Sequence, residues 1–174
     1  DWSSDVCSSD LFWKHPQTET IILRPSHIVG AGLKNAPTRY LMLDNIPTIL
    51  GFDPMLQLIH KFDVIRSVAK SLKSNVRGIF NLASPDAAPL SRIITALDRP
   101  SIALPETILK ALMAGTFLSR RSHFPMGELD HLKYSCIIDD HRAKTELKFV
   151  SKKSISAIVL ELKKAYQKKN GFSR

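Results

Sequence analysis

The sequence is poor in cysteine, has no long apolar run and shows no metal-ligand spacing, and each absence removes a class of protein. Only Cys7 and Cys136 are present. Two thiols cannot build a disulfide framework, so a reducing cytoplasm is the expected compartment. No apolar stretch approaches the roughly 20 residues that a membrane-spanning helix needs. The N-terminus lacks the basic-then-apolar order of a signal peptide, and no membrane partner is expected. His123, His131 and His141 lack the i, i+4 pairing of a helical zinc site, so no metal is expected either.

What is present suits one domain with a true core: 174 residues, 44% hydrophobic and 24% charged. The formal charge of +9 raises the question of an acidic partner. Lysines and arginines are scattered, however, and cluster only at Lys163, Lys164, Lys168 and Lys169. That spacing decorates the solvent side of a helix, so no nucleic-acid partner is expected.

Residues 1–11, DWSSDVCSSDL, differ from everything that follows. They are rich in Ser and Asp, lack Lys and Arg, and have no periodicity. The segment resembles the translation of a common short-read sequencing adapter. It is set aside as foreign, which leaves Cys136 as the only cysteine and implies that the native chain extends upstream of Phe12.

The remainder alternates strand and helix signals. Thr20–Leu23 is a β-branched and apolar run that reads as a buried strand, stopped by Pro25. Gly30 and Gly32 mark a loop, and Asn35-Ala36-Pro37 opens a helix expected to reach Leu43. A strand pair is expected from residues 47–50 and 56–60. In the next helix Val64, Ile65, Val68, Ala69 and Leu72 share one face, with Asp63 as its cap. Further on, a strand is expected over Gly78–Leu82, a helix over Leu90–Leu97 and a strand over Ser101–Leu104. Glu106–Leu118 is expected to be a helix, His131–Ile138 to hold a strand, and Asp140–Leu147 and Ser154–Lys169 to be helices. Ile155, Ile158, Leu162 and Tyr166 form the apolar stripe of the last helix. Alternation at this spacing points to an α/β domain with parallel pairing.

Several stretches then carry a resemblance. Ile22–Gly32, ILRPSHIVGAG, resembles a strand-plus-loop motif of the form Arg-x-x-x-Val-Tyr-Gly-Pro-Gly. Leu58–Val64, LIHKFDV, resembles [Phe/Tyr]-[Ile/Val]-His-Val-x-Asp-Val, and Gly78–Ala83 resembles Gly-x-[Tyr/Phe]-Asn-[Leu/Val]. The ending around Asp140–Leu147 and Phe149 is similar to Glu-Leu-Gly-[Trp/Phe]-x-Pro, with Lys148 for the Gly and Ser151 for the Pro. In this order they resemble the second half of extended short-chain dehydrogenases/reductases, the NAD-dependent epimerase/dehydratase kind. The resemblance implies an α/β fold: the C-terminal half of a Rossmann-like doubly wound parallel sheet plus a small α/β substrate-binding subdomain, over residues 12–174. It also implies an NAD or NADP cofactor, a small-molecule substrate and hydride transfer at an alcohol or ketone carbon.

By the same resemblance, Pro25, Ser26 and His27 meet the nicotinamide end of the cofactor. Proline offers no competing donor there, and Ser26 and His27 offer polar groups to a carboxamide. The same residues also suit a plain strand-end turn. Leu33, Asn35 and Gln57 are the expected substrate contacts. His60 is expected to organise its corner rather than to titrate in catalysis, and Cys136 to be a small core residue.

Two motifs are absent. No Gly-x-x-Gly-x-x-Gly occurs, so no pyrophosphate-cradling turn is present. Tyr40, Tyr134 and Tyr166 are followed four residues on by Asp44, Ile138 and Asn170, so there is no Tyr-x-x-x-Lys. Both motifs belong upstream in the family, and no catalytic residue is expected here. A non-catalytic NAD(P)-binding sensor or scaffold is the other reading. Leu56 and Gln57 stand where nucleotide-sugar epimerases carry Arg-Asp. An aliphatic side chain cannot replace a diphosphate-pairing guanidinium, which argues against a standard nucleotide sugar. The oligomeric state stays open.

Overall fold

The computed structural model describes Lys14, Gln17 and residues 19–118 and 132–171. Strands and helices alternate through them, with three parallel strand pairs and one antiparallel pair. The expected α/β class with parallel pairing is what the chain adopts. The expectations for residues 1–11, His123 and His131 lie outside the described residues.

Strand β1 (Ile21–Pro25) runs parallel to β6 (Gly78–Leu82), from Ile21 opposite Gly78 to Pro25 opposite Leu82. The strand ends at Pro25, as expected, with Pro25 itself as its last paired residue. The Ser26 amide donates to Leu82 O, so the proline nitrogen one residue earlier points away from β6, where no ladder donor is lost. Strand β1 is not buried as expected, however. Its residues are half-buried or exposed, because β6 is its sole partner among the described residues.

The chain continues through β2 (His27–Val29), paired in parallel with β5 (Leu58–His60). Helix α1 (Ala36–Leu41) starts after Asn35, with Pro37 in its first turn, and ends two residues earlier than expected. Strands β3 (Ile46–Ile49) and β4 (Met55–Leu56) do form, but β3 does not pair with the 56–60 region. It pairs in parallel with β8 (Ser101–Leu104), while β4 pairs antiparallel with β7 (Ala88–Pro89). The residues expected as a strand up to Ile138 make one isolated bridge, Cys136 to Leu56. Cys136 is half-buried rather than a core residue.

Helix α2 (Lys61–Ser71) is the instructive departure. Most of its apolar face looks outward: Ile65 is 60% exposed and Leu72 84%, with Phe62 and Val68 also exposed, while Val64 packs against the smaller apolar cluster. The buried positions are Asp63 and Ser67. Asp63 anchors a distant loop and therefore turns inward, rotating the apolar stripe to the surface. Helices α3 (Leu90–Leu97), α4 (Glu106–Leu118), α5 (His141–Thr145) and α6 (Ile155–Lys169) complete the order.

Two apolar clusters hold these elements. In the larger, Leu90, Ile93, Ile94 and Leu97 of α3 meet Ile155, Ile158, Val159 and Leu162 of α6, together with Ile46, Ile49 and Leu56. The i, i+3, i+4, i+7 spacing of both helices puts those side chains on facing stripes. Each fully buried Leu or Ile stabilises by about 1.5–3 kcal/mol relative to exposure. The smaller cluster joins Phe80 and Leu82 of β6 to Ile59, Ala143, Leu147 and Phe149. No helix among the described residues is long and apolar enough to cross a membrane.

Candidate functional site

Parallel strands place their carboxyl ends together, and it is there that α/β folds leave a ligand crevice. In this chain the carboxyl ends of β1 and β6 carry Pro25-Ser26 and Ala83-Ser84. Ser26 is 8% exposed, its amide is bonded to Leu82 O at 2.8 Å, and its Oγ has no partner. A buried hydroxyl without a partner costs roughly 1–3 kcal/mol, so its retention points to a further role. His27 is half-buried, and its Nδ1–H donates to Gln57 O at 3.3 Å.

Gln57 joins this group through both ends of its amide. Its Nε2 donates to Ser84 O at 3.4 Å and its Oε1 accepts the Ile138 amide at 2.9 Å. The structure thus brings Pro25, Ser26, His27 and Gln57 into one cluster, with the Gln57 side chain engaged within the protein.

Leu33 and Asn35 belong to a second group, beyond the other end of β2. The Leu33 amide closes a turn on Gly30 O at 3.1 Å, and Leu33 is half-buried. Asn35 Nδ2 donates to Ile28 O at 2.6 Å, while its Oδ1 is buried without a partner. Thr38 Oγ1, one turn further along α1, is also buried without a partner. The loop between the two groups needs a glycine at 32 and brings the Lys61 stem close against Gly30. Gly32 has φ +84°, a left-handed conformation that disfavours a side chain, and a Cβ on Gly30 would lie 2.9 Å from Lys61 Cδ.

Lys61 and Glu161, which sequence reasoning missed, both bond to the loop beside this site. Lys61 Nζ donates to Ala31 O, and Glu161 Oε1 accepts the Ala31 amide at 3.2 Å. Glu161 also receives His60 Nε2 at 3.0–3.1 Å, with Lys153 Nζ 3.7 Å away. Both carried a faint signal. Lys61 stands where the resembled motif has Val, and Glu161 is the sole acid of α6.

His60 is fully buried, and its Nδ1 accepts the Phe62 amide at 3.3 Å. An Nδ1 that accepts places the ring proton on Nε2, facing Glu161. His60 is thus the N-cap of α2, an organising role as expected, and Asp63 is not the cap. Burial works against the Glu161 charge. The hydrogen bonds from His60 and the Ala31 amide and the charge of Lys153 outweigh it and hold the carboxyl below its ordinary range.

Among the described residues, no group of three or more His, Cys, Asp or Glu is placed to hold a metal ion. Leu56 is buried in the larger core.

No family model matches the chain. The uncharacterized protein Rv0501 of Mycobacterium tuberculosis (strain ATCC 25618 / H37Rv) is 27% identical over 142 residues, which are 80% of this chain and 37% of that protein. The uncharacterized protein Mb0513 of Mycobacterium bovis matches to the same extent. The chain therefore spans little more than a third of the length of these relatives. Among solved structures, a UDP-glucose 4-epimerase from Stenotrophomonas maltophila, with bound NAD and formylated UDP-arabinopyranose, superposes with a TM-score of 0.67. It is 14% identical, and the match covers 99% of this chain and 55% of that one. RMD from Pseudomonas aeruginosa, complexed with NADPH, gives 0.63 at 9% identity, over 94% of this chain and 52% of that one. At such identities the likeness speaks for the fold alone, and that fold is the mixed α/β, Rossmann-like one.

Proposed function

We propose that this chain is the C-terminal portion of an NAD(P)-dependent oxidoreductase or epimerase, with residues 12–174 forming the part that meets the nicotinamide and the substrate. The observation that carries this reading is Ser26, buried at the carboxyl end of β1 with an unpartnered Oγ. That hydroxyl fits a carboxamide, which presents both a donor and an acceptor. The ligands named with the solved structures above support the same reading.

When bound, the cofactor supplies or accepts a hydride at a carbon of an alcohol or ketone. The residues of this chain would bind and orient. Pro25 leaves no competing donor beside Ser26, and His27 is steadied by its bond to Gln57 O. Gln57, locked to Ser84 and Ile138, stiffens the floor. Leu33 and Asn35, at the end of the Gly30–Gly32 loop, would face the substrate. The sequence holds no Gly-x-x-Gly-x-x-Gly and no Tyr-x-x-x-Lys, so the pyrophosphate grip and the proton-transfer group would come from outside this chain. Leu56 in place of an arginine supports a substrate other than a standard nucleotide sugar.

Titrating the full-length protein with NADH and NADPH, followed by nicotinamide fluorescence, tests the proposal. Saturable binding of either one is the expected result. Absence of binding of both at millimolar concentration would remove the cofactor reading. Binding by a full-length protein without Tyr-x-x-x-Lys would favour the sensor or scaffold role.

A further inference from the structure

The Ala31 peptide group is gripped from two sides by ionised side chains of two different helices. Its carbonyl accepts from Lys61 Nζ on the first turn of α2. Its amide donates to Glu161 Oε1 on α6, 130 residues away in sequence, at 3.2 Å. The stem of Lys61 lies against Gly30 so closely that a Cβ there would sit 2.9 Å from Lys61 Cδ. Glu161 is itself held by His60 Nε2 at 3.0–3.1 Å, and His60 is fixed by the Phe62 amide on its Nδ1.

A glycine-flanked loop has little reason to hold one shape, since Gly30 and Gly32 leave it more conformers than any other residue would. Hydrogen bonds to charged groups are roughly twice as strong as neutral ones. Glu161 and Lys61 supply one such bond to each end of a single peptide group.

We infer that Glu161 is a positioning residue: with Lys61 it clamps the Ala31 peptide and so holds the Gly30–Leu33 loop, which continues from the His27–Val29 strand, in the conformation that lets the cofactor bind beside Ser26 and His27. The ligand part rests on the function proposed above, whereas the clamp itself does not. The last helix of the chain thereby becomes part of the site without touching a ligand.

The test compares Glu161→Ala, Glu161→Gln and Lys61→Met in the full-length protein. Met keeps the Lys61 stem over Gly30 but removes the donor. Amide hydrogen exchange is read for residues 30–33 and, as a control on folding, for the buried face of α6. Exchange across the loop is expected to rise roughly tenfold or more in Glu161→Ala and Lys61→Met, with α6 unchanged. Glu161→Gln, which retains an acceptor of the same reach without the charge, is expected to restore part of the protection. NADH titration of the same proteins separates the two layers. If loop exchange does not change, or if Gln exchanges as fast as Ala, the clamp is overturned. If the loop loosens and the wild type binds no NADH, the clamp stands and the cofactor reading fails. If wild type and Glu161→Ala bind NADH with equal affinity despite a loosened loop, the positioning role is overturned.

Discussion

The Asp63 carboxylate on the first turn of α2 receives the Ser151 hydroxyl at 2.8 Å, from a residue 88 positions further along the chain. It also accepts the Lys152 amide at 3.2 Å and the Lys153 amide at 3.1 Å, and pairs with Arg66. One buried acid therefore satisfies the loop that leads into α6, and α6 carries Glu161 to the glycine loop.

Removing that acid leaves a hydroxyl and two amides without their partner. Asp63→Ala is expected to cost about 2–3 kcal/mol of unfolding free energy, read from urea denaturation. Replacing Glu146, which is exposed and pairs with Arg142 at 2.7–2.8 Å, should leave the urea midpoint essentially unchanged, because solvent screens an exposed pair.

The same group sets an acid limit. Burial pushes the Asp63 carboxyl up, but the Ser151 hydroxyl, the Lys153 and Lys152 amides and Arg66 outweigh it and leave it below its ordinary value of 3.8. A depressed folded value means the contribution is complete above the unfolded value and is lost as pH falls through the folded one. The urea midpoint of the wild type should therefore drop as pH falls below the ordinary carboxylate range, and that of Asp63→Asn should drop less. Equal slopes would show that Asp63 does not set this limit.

Ser26 gives a prediction of opposite sign for stability and binding. Ser26→Ala deletes a buried hydroxyl with no partner, so thermal stability should hold or rise by up to about 1 kcal/mol. In the full-length protein the same change should weaken NAD(P)H binding by roughly five- to tenfold. A stability loss without an effect on binding would assign Ser26 to the fold alone.

The outward stripe of α2 makes a surface prediction. Ile65→Lys and Leu72→Lys should leave the stability of this chain within about 0.5 kcal/mol and reduce its self-association, measured by light scattering. A loss of several kcal/mol would mean that the stripe is covered.

Elements with both periodicity and clear ends were legible in the sequence. Gly78–Leu82, Leu90–Leu97 and Glu106–Leu118 form over the residues expected, because local signals fix them. Partners at long range were not legible. Nothing near Asp63 announces Ser151, so the sequence points to Asp63 as a helix cap rather than as the anchor of a distant loop. The pairing of β3 with β8 depends on residues some fifty positions apart, which alternation alone cannot assign. The candidate site divided the same way: Pro25, Ser26, His27 and Gln57 lie together, whereas Glu161 reaches Ala31 only through the tertiary fold.

The most direct test of the central claim is a backbone amide chemical-shift map of the full-length protein, with and without NADH. The account predicts that, within this chain, the largest changes fall at Ser26, His27 and residues 82–84. Changes confined to other parts of the chain, or saturable NADH binding that leaves Ser26 unmoved, would contradict it.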